Sequence, residues 1–338
     1  MDTKTITKSV KANLKILTII DPHFADKAPG SRVDDYFKTS LNKLDQISKI
    51  AKKRKVDLVL MTGDLFSEKR KEKNSHYMTS TLTETFKNYP CPVATILGNH
   101  DLIYNRFEYW PSQPVSNLIK SGAVHLLDYE EFEFNFKSSD KTVRVCGTSY
   151  NEDHNIDYLQ EPKKEEDFMV RVTHSAIEPK AGTYVYGERI WAYKELVDFP
   201  PDVFILGHIH NDHGITKLKG KHFFQHGSLM RSSSHDYNLE RDIKVGYLEI
   251  TPDLEVITEE IKLDIISSKD VFCLEKKRRI EQELQQMQSF FDQLEKTGED
   301  NIRKGTKVNL EELITSVKDR DSGKIHKIID TYLDLVRV

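Results

Sequence analysis

Hydrophobic residues in the first half of the chain fall into short runs separated by stretches of helical period. Residues 15–20 read KILTII, 58–62 LVLMT and 93–97 VATIL. Short runs rich in Val and Ile predict strands buried on both faces. Between the first two runs, Phe37, Leu41, Leu44, Ile47, Ile50 and Ala51 recur at spacings of three and four. That stripe predicts a helix over Val33–Lys53, ending in the cations Lys52, Lys53, Arg54 and Lys55, which suit a helix C-terminus. A second helix is predicted over Asn74–Tyr89, with Tyr77, Met78, Thr81, Leu82 and Phe86 at helical spacing. Strands alternating with helices in this way call for a parallel sheet with covered faces.

The middle of the chain changes period. In FEFNF, Phe132, Phe134 and Phe136 alternate with Glu133 and Asn135, and a polar turn at 138–141 leads into TVRVCG. This predicts an antiparallel hairpin that opens a second sheet. MVRVT, VFIL, HFFQH and VGYLEI continue as strands to about Ile261. The predicted fold is α/β: two mixed β-sheets packed as a sandwich and flanked by helices, over residues 14–265. Residues 266–338 are predicted to form a helical C-terminal region. There Ile280, Leu284, Met287, Phe291 and Leu294 make one stripe, Asn309 and Glu312 a capping-box-like start, and Ser322 a cap for a last helix. The polar segment 1–13 is expected to be a frayed tail.

Composition narrows the class. At 38% hydrophobic and 31% charged residues, with no run near the ~18 apolar residues of a membrane span, the chain is expected to be soluble. No secretory signal is evident at the N-terminus, and Cys91, Cys146 and Cys273 fit neither a disulfide framework nor a zinc spacing. A cytoplasmic location with reduced thiols is expected, the host cytoplasm if the protein is viral. A net charge of -4 argues against gripping nucleic acid by bulk charge alone. It does not exclude a nuclease whose metal ions reverse the local sign.

The chemistry sits where the hydrophobic runs end. Those runs lead into Asp21-Pro22-His23, Gly63-Asp64, Gly98-Asn99-His100-Asp101, His174 and Gly207-His208-Ile209-His210. Ligands bind at the carboxyl ends of strands in open α/β sheets. The set holds three Asp, one Asn and five His, enough for two metal ions and a spare acid. One DxH or HxH is commonplace, and a lone histidine is usually structural, but five such motifs at five strand ends are a different matter. In extended backbone, Asp21 and His23 share a face, as do His208 and His210. Oxygen and imidazole donors without thiolate suit Mn²⁺, Fe or Zn²⁺ in a hydrolytic site. Asp64 is the natural bridging carboxylate, because its strand lies between the other groups.

The order DxH, GD, GNHD, H, GHxH resembles the calcineurin-like metallophosphoesterases over residues 14 to about 232. The resemblance implies two divalent ions. Asp21, His23, Asp64 and His210 would hold the first, and Asp64, Asn99, His174 and His208 the second. His100 would contact the phosphate and protonate the leaving oxygen, with Asp101 behind it orienting the ring. An activated water would be the nucleophile.

Finer features resemble the SbcD-like double-strand-break repair nucleases of bacteria and phages. These are Gly63-Asp64-Leu65-Phe66, Leu97 to Leu102, and the Gly227-Ser228 turn. That likeness implies a Mn²⁺-dependent DNA exonuclease or endonuclease, a homodimer, and an SMC-like (SbcC-type) ATPase partner docked on the C-terminal region. Many such nucleases carry a second histidine directly after GDLF that positions the phosphate, and here the position is Ser67. His226 is a candidate replacement, although a strand-end histidine in the core is the plainer reading. Arg70, in the cationic loop 67–73, together with Ser228 and Arg231, is expected to contact substrate. Two other readings compete: a phosphomonoesterase or cyclic-nucleotide phosphodiesterase of the same fold, and a non-catalytic scaffold. A complete ligand set argues against the scaffold.

Overall fold

The computed structural model describes residues 3–29, 32–151, 156–183, 188–233, 236–273, 275 and 278. The chain divides into two compact units, Met1–Phe272 and Cys273–Val338. The stripe from Ile280 to Leu294 and the caps expected at Asn309 and Ser322 lie outside the described residues.

The strands are β1 (Lys4–Val10), β2 (Leu14–Ile19), β3 (Leu58–Met61), β4 (Val93–Thr95), β5 (His125–Leu126), β6 (Glu130–Phe136), β7 (Thr142–Thr148), β8 (Phe168–His174), β9 (Ile177–Glu178), β10 (Gly182–Thr183), β11 (Arg189–Ala192), β12 (Val203–Gly207), β13 (Asp212–Leu218), β14 (Lys221–His226), β15 (Lys244–Ile250) and β16 (Val256–Lys262). One sheet has the order β16-β15-β2-β3-β4-β5, the other β1-β6-β7-β8-β12-β14-β13, and β10-β11-β9 form a small third sheet. In the first sheet β2 to β5 are parallel, as the alternating pattern requires, while β15 returns antiparallel to β2. The hairpin β6–β7 opens the second sheet.

The N-terminal segment corrects one expectation. It is no frayed tail, because β1 pairs in parallel with β6 from Lys4↔Glu130 to Val10↔Phe136. Its side chains are mostly exposed, so no apolar run betrays it; its backbone simply satisfies the open edge of β6.

The sheets meet face to face through Leu14, Ile16, Leu58, Leu60 and Ala94 on one side and Phe132, Phe134, Val145, Val170 and Ile205 on the other. Two helices cover the outer face of the first sheet: α1 (Tyr36–Arg54), capped by Asp35, and α2 (His76–Lys87), capped by Ser75. Leu44, Ile47, Met78 and Leu82 pack there against Leu17, Ile19, Val59 and Met61. Each such buried side chain contributes roughly 1.5–3 kcal/mol of transfer free energy. Both sheets therefore direct parallel strands, β2, β3 and β4 in one and β8 and β12 in the other, to a common edge.

Candidate metal centre

Every motif residue lies at that edge. Asp21, His23 and Asp64 follow β2 and β3, Asn99 and His100 follow β4, His174 ends β8, and His208 and His210 follow β12. The extended spacing expected for DxH and HxH does not occur. Asp21, His23, Asp64 and His208 have φ of 37°, 48°, 48° and 81°. Left-handed backbone is costly for residues with a Cβ and collects at functional sites. Here it turns the chain out of the pleat so that side chains from separate strands converge.

Two groups of donors share one carboxylate. His23 Nε2 lies 2.9 Å from His210 Nε2 and 3.4 Å from Asp64 Oδ2. These three residues place their ligand atoms within 4.8 Å of one another. On the other side, His174 Nε2 is also 3.4 Å from Asp64 Oδ2. Asn99 Oδ1 is 3.1 Å from both His174 Nε2 and His208 Nδ1. Asp64 Oδ2 thus stands midway between an all-imidazole pair and an imidazole–amide set. Two histidine nitrogens facing each other at hydrogen-bond distance, beside a shared buried carboxylate, are a donor set that suits divalent cations. Asp21 lies beneath both groups. Its oxygens accept from Thr62 Oγ1 (2.6 Å) and His208 N (2.7 Å), and it is 3.6 Å from His174 Nδ1 and 3.8 Å from His210 Nε2.

Close backbone approach requires glycine at two points. A Cβ on Gly98 would stand 2.1 Å from Asp64 Oδ1, and one on Gly63, at φ +87°, 2.4 Å from Gly98 N. The GD and GNHD turns can pack together only without those atoms.

Burial sets the protonation states. It pushes Asp21 up to about 6, helped by Asp64. It also holds His23 well below the usual imidazole range and His210 at about 4. Burial opposes charge on His174 and Asp64 too. Their mutual attraction overcomes it, raising His174 to about 9 and holding Asp64 well below the ordinary carboxylate range. Unprotonated His23 and His210 keep their lone pairs free for a cation.

Three assignments need correction. The ring of His100 is oriented by a backbone carbonyl, with Nδ1 2.8 Å from Ser67 O. The Asp101 carboxylate instead accepts from three buried backbone amides, Gly98 (3.0 Å), Leu65 (3.2 Å) and Phe66 (3.2 Å). It ties the GDLF turn to the GNHD turn and is pushed up to about 7 by burial and Asp64. Arg231 is buried, and both terminal nitrogens of its guanidinium donate within the protein, to Leu239 O, Ser268 Oγ and Ile266 O, which turns the group inward and away from a substrate. Ser228 Oγ donates to Met230 O and accepts from Arg241. By contrast Arg70 is exposed at the start of a helical turn, Lys71–Lys73, where its charge faces solvent.

His226 does not replace the second histidine. It is buried, and its Nε2 accepts from Gly246 N (3.1 Å) and lies 2.8 Å from Thr18 Oγ1. The Ser67 hydroxyl donates to His23 O (2.8 Å), alongside Tyr36 OH (3.0 Å). Ser67 and Tyr36 therefore secure a left-handed turn. Sequence reading missed Thr62, Tyr36 and Glu188. Glu188 Oε2 accepts from His208 Nε2 at 2.9 Å and leaves Nδ1 facing Asn99. A carboxylate on the far nitrogen of a ligand histidine fixes its tautomer. Glu188 sits in no motif, and only the fold brings it there.

Residues 14–212 match the family described as calcineurin-like phosphoesterase. Among solved structures, the chain is similar to the calcineurin-like phosphoesterase YfkN from Bacillus subtilis, at 14% identity over 82% of this chain and 98% of that one (TM-score 0.41). It is similar also to a dimetal phosphatase from Danio rerio, at 14% identity over 72% and 98% (TM-score 0.43). GAP50, the anchor in the inner membrane complex of Plasmodium, is 15% identical over 76% and 91% (TM-score 0.43). Among the described residues no helix is long and apolar enough to cross a membrane. The family match spans all the strand-end motifs from Asp21 to His210, and the chain belongs to the calcineurin-like phosphoesterases.

Proposed function

We propose that this phosphoesterase is a DNA nuclease of the SbcD-like kind, hydrolysing phosphodiester bonds with two divalent ions, most suitably Mn²⁺. The observation that supports a polymeric substrate is the cationic loop at the rim of the site. Lys69 is near enough to Asp64 to feel its charge, and Arg70, Lys71 and Lys73 continue outward as an exposed series. A monoesterase needs no such track, whereas phosphates flanking a scissile bond do. Glu68 and Glu72 are interleaved, so the track steers locally without making the protein basic.

In this reading His23, Asp64, His210 and Asp21 would hold one ion, and Asp64, Asn99, His174 and His208 the other. Bound ions would lower the pKa of a water and neutralise charge on the phosphoryl oxygens. The chain's own residues do the rest. Asp64 keeps the two donor groups in register. Ser67 O fixes the His100 ring so that Nε2 can deliver a proton to the departing oxygen. The N–H of His100, bonded to Asp64 Oδ1 at 2.7 Å, locks that loop onto the bridging carboxylate. A homodimer and an SMC-like ATPase partner complete the proposal. Met78, Leu82 and Phe86 are spent on the core, so of that stripe on α2 only Tyr77, 68% exposed, and the partly exposed Thr81 one turn on remain for another chain.

The test is cleavage of end-labelled single- and double-stranded DNA with Mn²⁺ or Mg²⁺, beside a chromogenic phosphomonoester. Hydrolysis of DNA in preference to the monoester is expected. Monoester turnover with no action on DNA would favour the phosphomonoesterase reading and overturn this one.

A further inference from the structure

We propose that Tyr104 is a stacking platform for an unpaired base of the DNA strand entering the metal site, an inference that rests on the nuclease reading above. Three observations meet in the loop after the GNHD turn. Tyr104 is 73% exposed, and Tyr109, 40% exposed, meets it in a T-shaped contact at 6.0 Å. The Tyr104 ring is thus largely uncovered and contributes little to the core, while Tyr109 holds its edge.

The loop is also held in a costly conformation. Tyr104 and the next residue, Asn105, are both left-handed, at φ 56° and 57°. Two successive non-glycine residues of this kind persist only where surrounding contacts enforce them. Lys69 Nζ donates to Asn105 Oδ1 at 2.6 Å, and Asn105 N donates to Leu102 O at 3.1 Å. Lys69 belongs to the cationic loop and lies within the field of Asp64. One side chain therefore ties the aromatic loop to the cationic loop beside the metal ligands.

The chemistry of the patch names its occupant. Arg106 lies over the Tyr109 ring at 5.8 Å and pairs with Glu108, and Arg70 is exposed nearby in sequence to Lys69. Cations for the backbone and an open ring for a base are the two halves of single-strand recognition. Every base offers a π-face, so such a platform tolerates any sequence. A base still paired inside a duplex offers its face to its neighbours, so the patch selects ends that are frayed or single-stranded.

The experiment compares wild type, Tyr104→Ala and Tyr104→Trp. Binding of a single-stranded oligonucleotide carrying 2-aminopurine is followed by fluorescence, an abasic oligonucleotide serves as control, and turnover is measured on bis(p-nitrophenyl) phosphate. Tyr104→Ala is expected to weaken oligonucleotide binding about 5- to 150-fold, the range for one base stack, and to abolish quenching of 2-aminopurine. Turnover of the small diester should be unchanged, the abasic oligonucleotide should be insensitive to the substitution, and Tyr104→Trp should restore binding. If wild type binds and cleaves DNA but Tyr104→Ala does so equally well, the stacking role is overturned and the nuclease reading stands. Equal losses on abasic DNA and on the small diester would make Tyr104 structural, and a change of oligomeric state would make it a subunit contact. Either result overturns the proposal. Turnover of the small diester by a wild type that ignores DNA would overturn both readings.

Discussion

The carbonyl oxygen of Ser67 lies 2.8 Å from Nδ1 of His100, so the ring of this histidine is oriented by backbone. Ser67 thus serves His100 through a group that every residue possesses. His100→Asn should lower turnover by roughly 10²–10⁴, the range for general acid–base work, and leave metal content unchanged. Ser67→Ala keeps the carbonyl and should retain most of the turnover. Parallel kcat and metal measurements on the two variants check this; loss of metal in His100→Asn would make His100 a ligand instead.

Asp101 is a structural brace. Three buried amides converge on its carboxylate. Asp101→Ala leaves them without a partner, at a cost of roughly 2–5 kcal/mol. Chemical denaturation should show that loss in metal-free protein. A variant as stable as wild type would return Asp101 to a role in catalysis.

His226 should contribute to acid sensitivity. Its folded-state pKa is depressed to about 3 by burial, while the unfolded chain titrates near the ordinary value of 6.5. Between those values the unfolded state binds more protons. The stability that neutral His226 confers is therefore fully present above pH 6.5 and declines as pH falls toward about 3. His226→Gln should flatten the stability–pH curve in that window, as followed by urea unfolding. An unchanged slope would contradict the buried neutral imidazole.

Much of this was legible in the sequence because strand cores and ligand motifs leave strong local signals. KILTII, LVLMT and VATIL became β2, β3 and β4, and their terminal Asp, Asn and His residues reached one edge. What stayed hidden depends on tertiary context. β1 was invisible because its pairing is through backbone and its side chains are polar. The left-handed turns at Asp21, His23, Asp64 and His208 are imposed by convergence on a common centre, so extended spacing was the wrong guide. Ser228 and Arg231 follow a turn near the site, yet their polar atoms point into the protein, a matter that chain order does not record.

Loading the site should release protons. Without a cation, His174 is raised to about 9 by Asp64 and Asp21, and it must give up that proton to become a ligand. Calorimetric titration with Mn²⁺ near pH 7.5, in two buffers of different ionisation enthalpy, should show net proton release. Enthalpies that do not depend on the buffer would mean that His174 is already neutral.

Asp64 is placed to join two cation sites, since its Oδ2 stands 3.4 Å from both His23 Nε2 and His174 Nε2. The most direct measurement is the stoichiometry of Mn²⁺ bound at equilibrium by wild type and by Asp64→Ala, each shown to be folded. About two ions per chain are expected in wild type, with weakened binding of both in the variant. A single ion in wild type, or two that bind Asp64→Ala as tightly, would contradict that bridging role.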